Sequence, residues 1–221
     1  MTRHTLRSLL PAVVALPLIA AFGGWAVTTL EDLPDYAVAR EPLPLTFTVR
    51  HHGEEVQAGL KASVSARRAG GAELRAAAQP TRAAGQYRAT LTLPEPGEWM
   101  VTIHNGFGDQ RVTLLPLTVV APGAPAPAPL ADGERGRRLF VAKGCLTCHL
   151  HRDVAGSGKS NVGPDLTAAR FAPEYLKQFL ADPSIKPPSE DRTVRMPNLG
   201  LKPAEIAALA AFLNGERQAS R

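Results

Sequence analysis

Residues 121–129, Ala-Pro-Gly-Ala-Pro-Ala-Pro-Ala-Pro, cannot belong to a packed core. Each proline fixes φ and withholds a backbone donor, so alternating prolines hold the chain extended and keep it out of helix and sheet. The composition predicts a semi-rigid spacer, residues 121–131 with its flank, and separate folding units on either side. In a polyproline conformation nine residues reach up to roughly 28 Å. A chain of 221 residues has room for a core in each unit.

Upstream, residues 36–120 read as strands. Leu45, Phe47 and Val49 alternate with Thr46, Thr48 and Arg50. Tyr87, Ala89, Leu91 and Leu93 alternate with Arg88, Thr90 and Thr92, and after a Pro94–Gly97 turn Trp99, Val101 and Ile103 repeat the pattern. Period two means one face buried and one wet. With a further strand through residues 112–120 and a Gly70-Gly71 turn, about seven short strands fit an all-β, immunoglobulin-like sandwich. Gly85-Gln86-Tyr87 is similar to the tyrosine corner of that fold.

Downstream, residues 132–221, the signals turn helical. Residues 134–143 end at Gly144, residues 173–181 begin at a proline and end before Asp182-Pro183, and residues 203–213 begin at a proline and end at Asn214-Gly215. In the last segment Ile206, Leu209, Ala210 and Leu213 share one face.

At the N-terminus, Arg3, His4 and Arg7 precede an uncharged run from Ser8 to Leu30. Residues 9–30 would span roughly 33 Å as a helix, enough to cross a bilayer core. Residues 1–35 are therefore expected to be a transmembrane signal-anchor. Arginines before the run and Glu31, Asp32 and Asp35 after it predict a single-pass protein of the cytoplasmic membrane, its N-terminus in the cytoplasm and both domains on the periplasmic, extracytoplasmic side. A cleavable signal peptide is the competing reading, because small residues lie at Ala20, Ala21, Gly23 and Gly24.

The two cysteines fall in Cys145-Leu146-Thr147-Cys148-His149. Two thiols three positions apart, followed at once by histidine, form the pattern for covalent attachment of a c-type haem, with His149 placed to ligate iron. A redox dithiol lacks its βαβ context here, and a zinc site lacks a second ligand pair.

Residues 132–215 resemble a class I cytochrome c domain in five pieces taken in order: Gly136-Arg-Arg-Leu-Phe140, Lys143-Gly-Cys-Leu-Thr-Cys-His149, Gly163-Pro-Asp-Leu-Thr167, Met196-Pro197 and the helix over residues 205–213. The resemblance implies an all-α fold and one covalently bound haem c. It implies Cys145, Cys148, His149, Pro164 and Met196 as cofactor-binding residues, with His149 and Met196 as the metal ligands. The Pro164 carbonyl would accept a bond from His149 Nδ1. Met196 has a plain alternative as a buried thioether, and His151 is a rival ligand. Gly136 and Phe140 would pack against Leu209 and Phe212 where the first and last helices cross. Arg170, Tyr175 and Arg195 are candidates for haem propionate contacts.

The chain as a whole is thus expected to be multidomain: a transmembrane helix, a sandwich and a cytochrome c domain. No catalytic constellation accompanies the haem motif, so the expected role is that of an electron carrier and not an enzyme. Its expected redox partners are a quinol-oxidising complex and a terminal oxidase or other acceptor, or it is a haem subunit of a respiratory or photosynthetic complex. The formal charge of +5 lies mostly in residues 132–221, which hold 14 Lys/Arg against 10 Asp/Glu. Lys143, Lys159, Lys177 and Lys186 would favour an acidic docking partner. The basic residues are scattered, without the clustering of a nucleic-acid binder, so no nucleic acid is expected. The sandwich is expected to space or dock the haem domain. The alternatives are a haem-based gas or redox sensor, and a copper-handling protein using His51, His52, His104 and Met100.

Overall fold

A computed structural model describes residues 24–154, 162–186 and 194–215. Residues 26–120 form two facing sheets. The first has the order β1 (Ala26–Leu30), β3 (Pro42–His51), β8 (Gln86–Thr92), β7 (Gln79–Pro80), with β4 (Glu55–Val56) also paired to β3. The second runs β2 (Ala37–Val38), β11 (Leu117–Val120), β9 (Gly97–His104), β5 (Ser63–Arg67), β6 (Leu74–Ala77), with β10 (Arg111–Thr113) on β9. Every pair is antiparallel except β2 with β11.

The alternating residues form the core. Leu45, Phe47, Val49, Tyr87, Ala89, Leu91, Trp99, Val101 and Ile103 are all buried in one cluster. Tyr87 ties the core to a loop: its hydroxyl donates to the Gln57 carbonyl at 2.7 Å and accepts from the Leu60 N–H at 3.0 Å. A tyrosine corner bonds a few residues upstream, whereas these partners lie 27 to 30 positions back. Residues 112–120 are two strands instead of one. Pro116 lacks the donor a continuous strand needs, so β10 and β11 pair separately with β9.

The expected transmembrane helix is corrected by β1. Ala26–Leu30 is a strand paired along its length with β3, from Ala26 opposite His51 to Leu30 opposite Phe47. Among the described residues no helix is long and apolar enough to cross a membrane. The single-pass membrane localisation is overturned by the same finding. Residues 1–23 of the expected anchor lie outside the described residues.

The helical unit consists of α1 (Asp132–Ala142), α2 (Pro173–Ala181) and α3 (Pro203–Leu213). Pro173 and Pro203 stand where a missing N–H costs nothing, in the first turn. Gly144, at φ +79°, takes the left-handed conformation that ends α1, and a single 3₁₀ turn over Cys145–Thr147 follows. The α1 and α3 helices cross at Gly136. A Cβ there would lie 1.9 Å from the Ala208 carbonyl oxygen, so only glycine permits this approach. Beside it Phe140 and Phe212 pack with ring centroids 5.6 Å apart.

The two units touch, although a spacer joins them. Lys143, 3% exposed, donates to the Glu31 carbonyl at 2.8 Å and pairs with buried Glu205 at 2.8 Å. Arg138 donates to the Pro116 carbonyl at 2.6 Å, and Arg135 and Lys202 pair with Asp35 and Asp32. Ala142 joins the sandwich core, while Leu33, Val112 and Leu115 pack on the helical core. The outer side of β1 is covered this way: Val27 and Thr29 are each 2% exposed.

Candidate functional site

A cavity of about 520 Å³ opens beside α1 and the 3₁₀ turn. Cys145, Cys148, His149, Pro164 and Met196 all line it. The 3₁₀ turn places the cysteines, with the His149 N–H donating to the Cys145 carbonyl at 2.9 Å. His149 Nδ1 lies 3.0 Å from the Pro164 carbonyl oxygen. A carbonyl can only accept, so Nδ1 carries the proton and the ring's lone pair is on Nε2, the tautomer a metal-ligating histidine needs. Gly163 makes room for the ring, since a Cβ there would sit 2.6 Å from His149 Cε1.

Met196 is partly buried and packs on the helical core, which supplies Phe140, Leu166, Leu180, Leu209 and Leu213 to the cavity wall. Burial pushes the Cys145 thiol up to about 12, with neighbouring Cys148 adding to it, and pushes Cys148 up to about 11. Burial thus favours the neutral thiols, and their place on the cavity wall is compatible with thioether bonds to a bound group. An apolar cavity with two thiols, an oriented imidazole and a thioether on its walls fits haem c.

The other expected residues divide. Tyr175 and Arg195 line the cavity. Arg170 does not: it donates to the Ala169 carbonyl and lies near Gly215. His151, 3% exposed, packs on Phe140 and Phe212 in the core, away from the cavity. Of the lysines, Lys143 is buried in the contact between the units, Lys177 pairs with Glu174, Lys186 is on the cavity rim, and Lys159 lies outside the described residues. The copper set is not assembled. His51 ends β3 in the first sheet, whereas His104 and exposed Met100 lie on β9 in the second, with His104 bonded to Ser65 Oγ at 3.0 Å. Among the described residues no group of three His, Cys, Asp or Glu is placed to hold a metal ion.

The sandwich's share of the wall was missed: Val27, Arg50, Gly53 and Glu54 also line the cavity. No local pattern announces a contact between domains, and the run from Arg50 to Gly53 reads simply as a charged turn.

Residues 133–215 match the family model described as cytochrome c. No curated protein matches the chain. Among solved structures, one of E. coli alpha-2-macroglobulin is similar at 19% identity and a TM-score of 0.38, covering 50% of this chain and 7% of that one. A superoxide reductase (neelaredoxin) from Ignicoccus hospitalis is similar at 17% identity and a TM-score of 0.30, covering 42% of this chain and 80% of that one. The chain therefore spans only a small part of the first of these. A cytochrome c domain implies covalently bound haem c, haem-based electron transfer and redox partners, and the chain's one Cys-x-x-Cys-His motif matches a single haem.

Proposed function

We propose that this chain is a monohaem electron carrier, joined to Cys145 and Cys148 by thioether bonds and ligated by His149 and Met196. The observation that carries it is the convergence of these four side chains on one apolar cavity, with His149 held by Pro164. The neutral thioether of Met196, with the His149 imidazole, would favour Fe(II) and raise the potential of a bound haem. Pro164 orients the imidazole and increases its basicity. The apolar walls would keep water from a haem held by Cys145, Cys148, His149 and Met196, and that group would supply one-electron exchange.

The partners fitting this chemistry are one-electron redox proteins, such as a quinol-oxidising complex on the donor side and a terminal oxidase on the acceptor side, or the fixed subunits of one such complex. Lys186 and Arg195 on the cavity rim favour acidic partners. The ligand set is tested by the absorption of the oxidised protein: a band near about 695 nm is expected for His/Met ligation and is lost in Met196→Ala. Retention of that band in the variant removes Met196 from the iron.

A further inference from the structure

One side of the cavity is built by the sandwich, and it carries charge. Strands β1 and β3 bring Val27 and Arg50, and the turn after β3 brings Gly53 and Glu54, to the cavity that Cys145 and Met196 line. This edge touches the cavity's two walls. Beside Cys145, a Cβ on Gly144 would meet the Thr28 carbonyl at 2.7 Å and Val27 Cγ1 at 2.8 Å. Beside Met196, a Cβ on Gly53 would meet Pro197 Cγ at 2.9 Å. Arg50, opposite Val27 in the strand register and three positions before Gly53, belongs to the same edge.

The Arg50 side chain is half-buried, and its Nη1 reaches Thr29 Oγ1 only at 3.4 Å. Among the described residues no carboxylate is within ion-pair distance of it. Burial pulls the guanidinium's pKa below its usual value, against the opposing pull of Glu31. It is a charge held partly out of water and facing a cavity that fits a haem, where interactions between charges are screened less than in bulk solvent.

We propose that Arg50 belongs to the haem site, a cation lent by the sandwich that raises the reduction potential of the haem. A fixed positive charge opposes Fe(III) more than Fe(II), so the one-electron reduction of Fe(III) by a redox partner becomes more favourable. The sandwich is then an electrostatic part of the redox centre in addition to a packed neighbour. The proposal rests on the haem assignment of the cavity and is independent of Met196 being a ligand.

The test is a spectroelectrochemical titration of the full-length holoprotein and four variants, with covalent haem measured in each. Arg50→Gln is expected to shift the Fe(III)/Fe(II) equilibrium toward Fe(III) at least threefold, about 28 mV at 59 mV per tenfold for a one-electron couple. Arg50→Lys keeps the charge and recovers most of that shift. Glu54→Gln removes an exposed negative charge from the same cavity edge and moves the potential upward by a smaller amount. Arg88→Gln, at an exposed side chain of β8 that bonds Thr46, leaves the potential unchanged. An unchanged potential in Arg50→Gln, or an equal fall in Arg50→Lys, overturns the proposal. Should Arg50→Gln fail to load haem, Glu54→Gln decides alone, and a fixed or lowered potential there overturns it. Absence of covalent haem from the wild type overturns the haem assignment beneath it.

Discussion

The sandwich and the cytochrome c domain solve the problem of a core differently. Alternating strands fill the space between the two sheets with their own side chains, from Leu45 and Phe47 to Trp99 and Ile103. The helical domain instead supplies most of the lining of a cavity of about 520 Å³ that fits a haem. The haem assigned to that cavity would supply the contacts that its apolar lining does not make with itself. The second domain should therefore depend on its cofactor more than the first does.

The strongest way to break that contrast is Cys145→Ser with Cys148→Ser. Covalent haem is lost, and the helical domain is expected to lose its cooperative melt while the sandwich keeps its own, as scanning calorimetry and far-UV circular dichroism would resolve. Equal loss in both domains would remove the distinction. Next in size is Lys143→Met, which leaves Glu205 buried without its cation and the Glu31 carbonyl without a donor. Breaking such a pair costs about 3–5 kcal/mol. Denaturant titration should show that cost in the helical domain, and Lys143→Met with Glu205→Gln should recover part of it.

Tyr87→Phe addresses the other side. It keeps the ring in the core but strands the Gln57 carbonyl and the Leu60 N–H. A loss of about 1–3 kcal/mol is expected in the sandwich transition with the helical one unmoved. The smallest effect is that of acid. Burial pushes the Glu134 carboxyl up, but Arg137 and Arg138 outweigh it and hold it below its usual value. The hydrogen bond from Lys202 lowers Asp32 likewise. Carboxylates lowered on folding stabilise above their unfolded values of about 4, and that contribution goes as pH falls through the folded ones. Domain contact, followed by small-angle scattering, should loosen below about pH 4, and Asp32→Asn should remove part of that dependence.

What could be read from the sequence follows from which surfaces meet. Strands β3, β8 and β9 show their alternation because one face is core and the other water. The start of each later helix is marked by Pro173 or Pro203, and the Cys-x-x-Cys-His spacing is local. Strand β1 has no alternation: Ala26 and Leu30 enter the sandwich core while Val27 and Thr29 are covered by the helical domain, so all five residues are buried. A strand buried on both faces reads as a continuous apolar run, and next to another apolar run it passes for part of a membrane helix. Pro164 and Met196 needed a family resemblance, since neither type has meaning without its distance from the motif. Arg50 and Gly53 gave no local signal, because their contacts lie across a domain boundary.

The proline linker has a consequence beyond spacing. Chain connection replaces a bimolecular encounter by an intramolecular one, at an effective concentration in the millimolar range for a short tether. Two separate polypeptides with these faces, even at a dissociation constant of about 10 μM, would be about 99% associated once joined in this way. The contact around Lys143 can therefore be weak in isolation and still be closed nearly all the time, and a single proteolytic cut between Val120 and Asp132 would convert a permanent neighbour of the haem into a dissociable one.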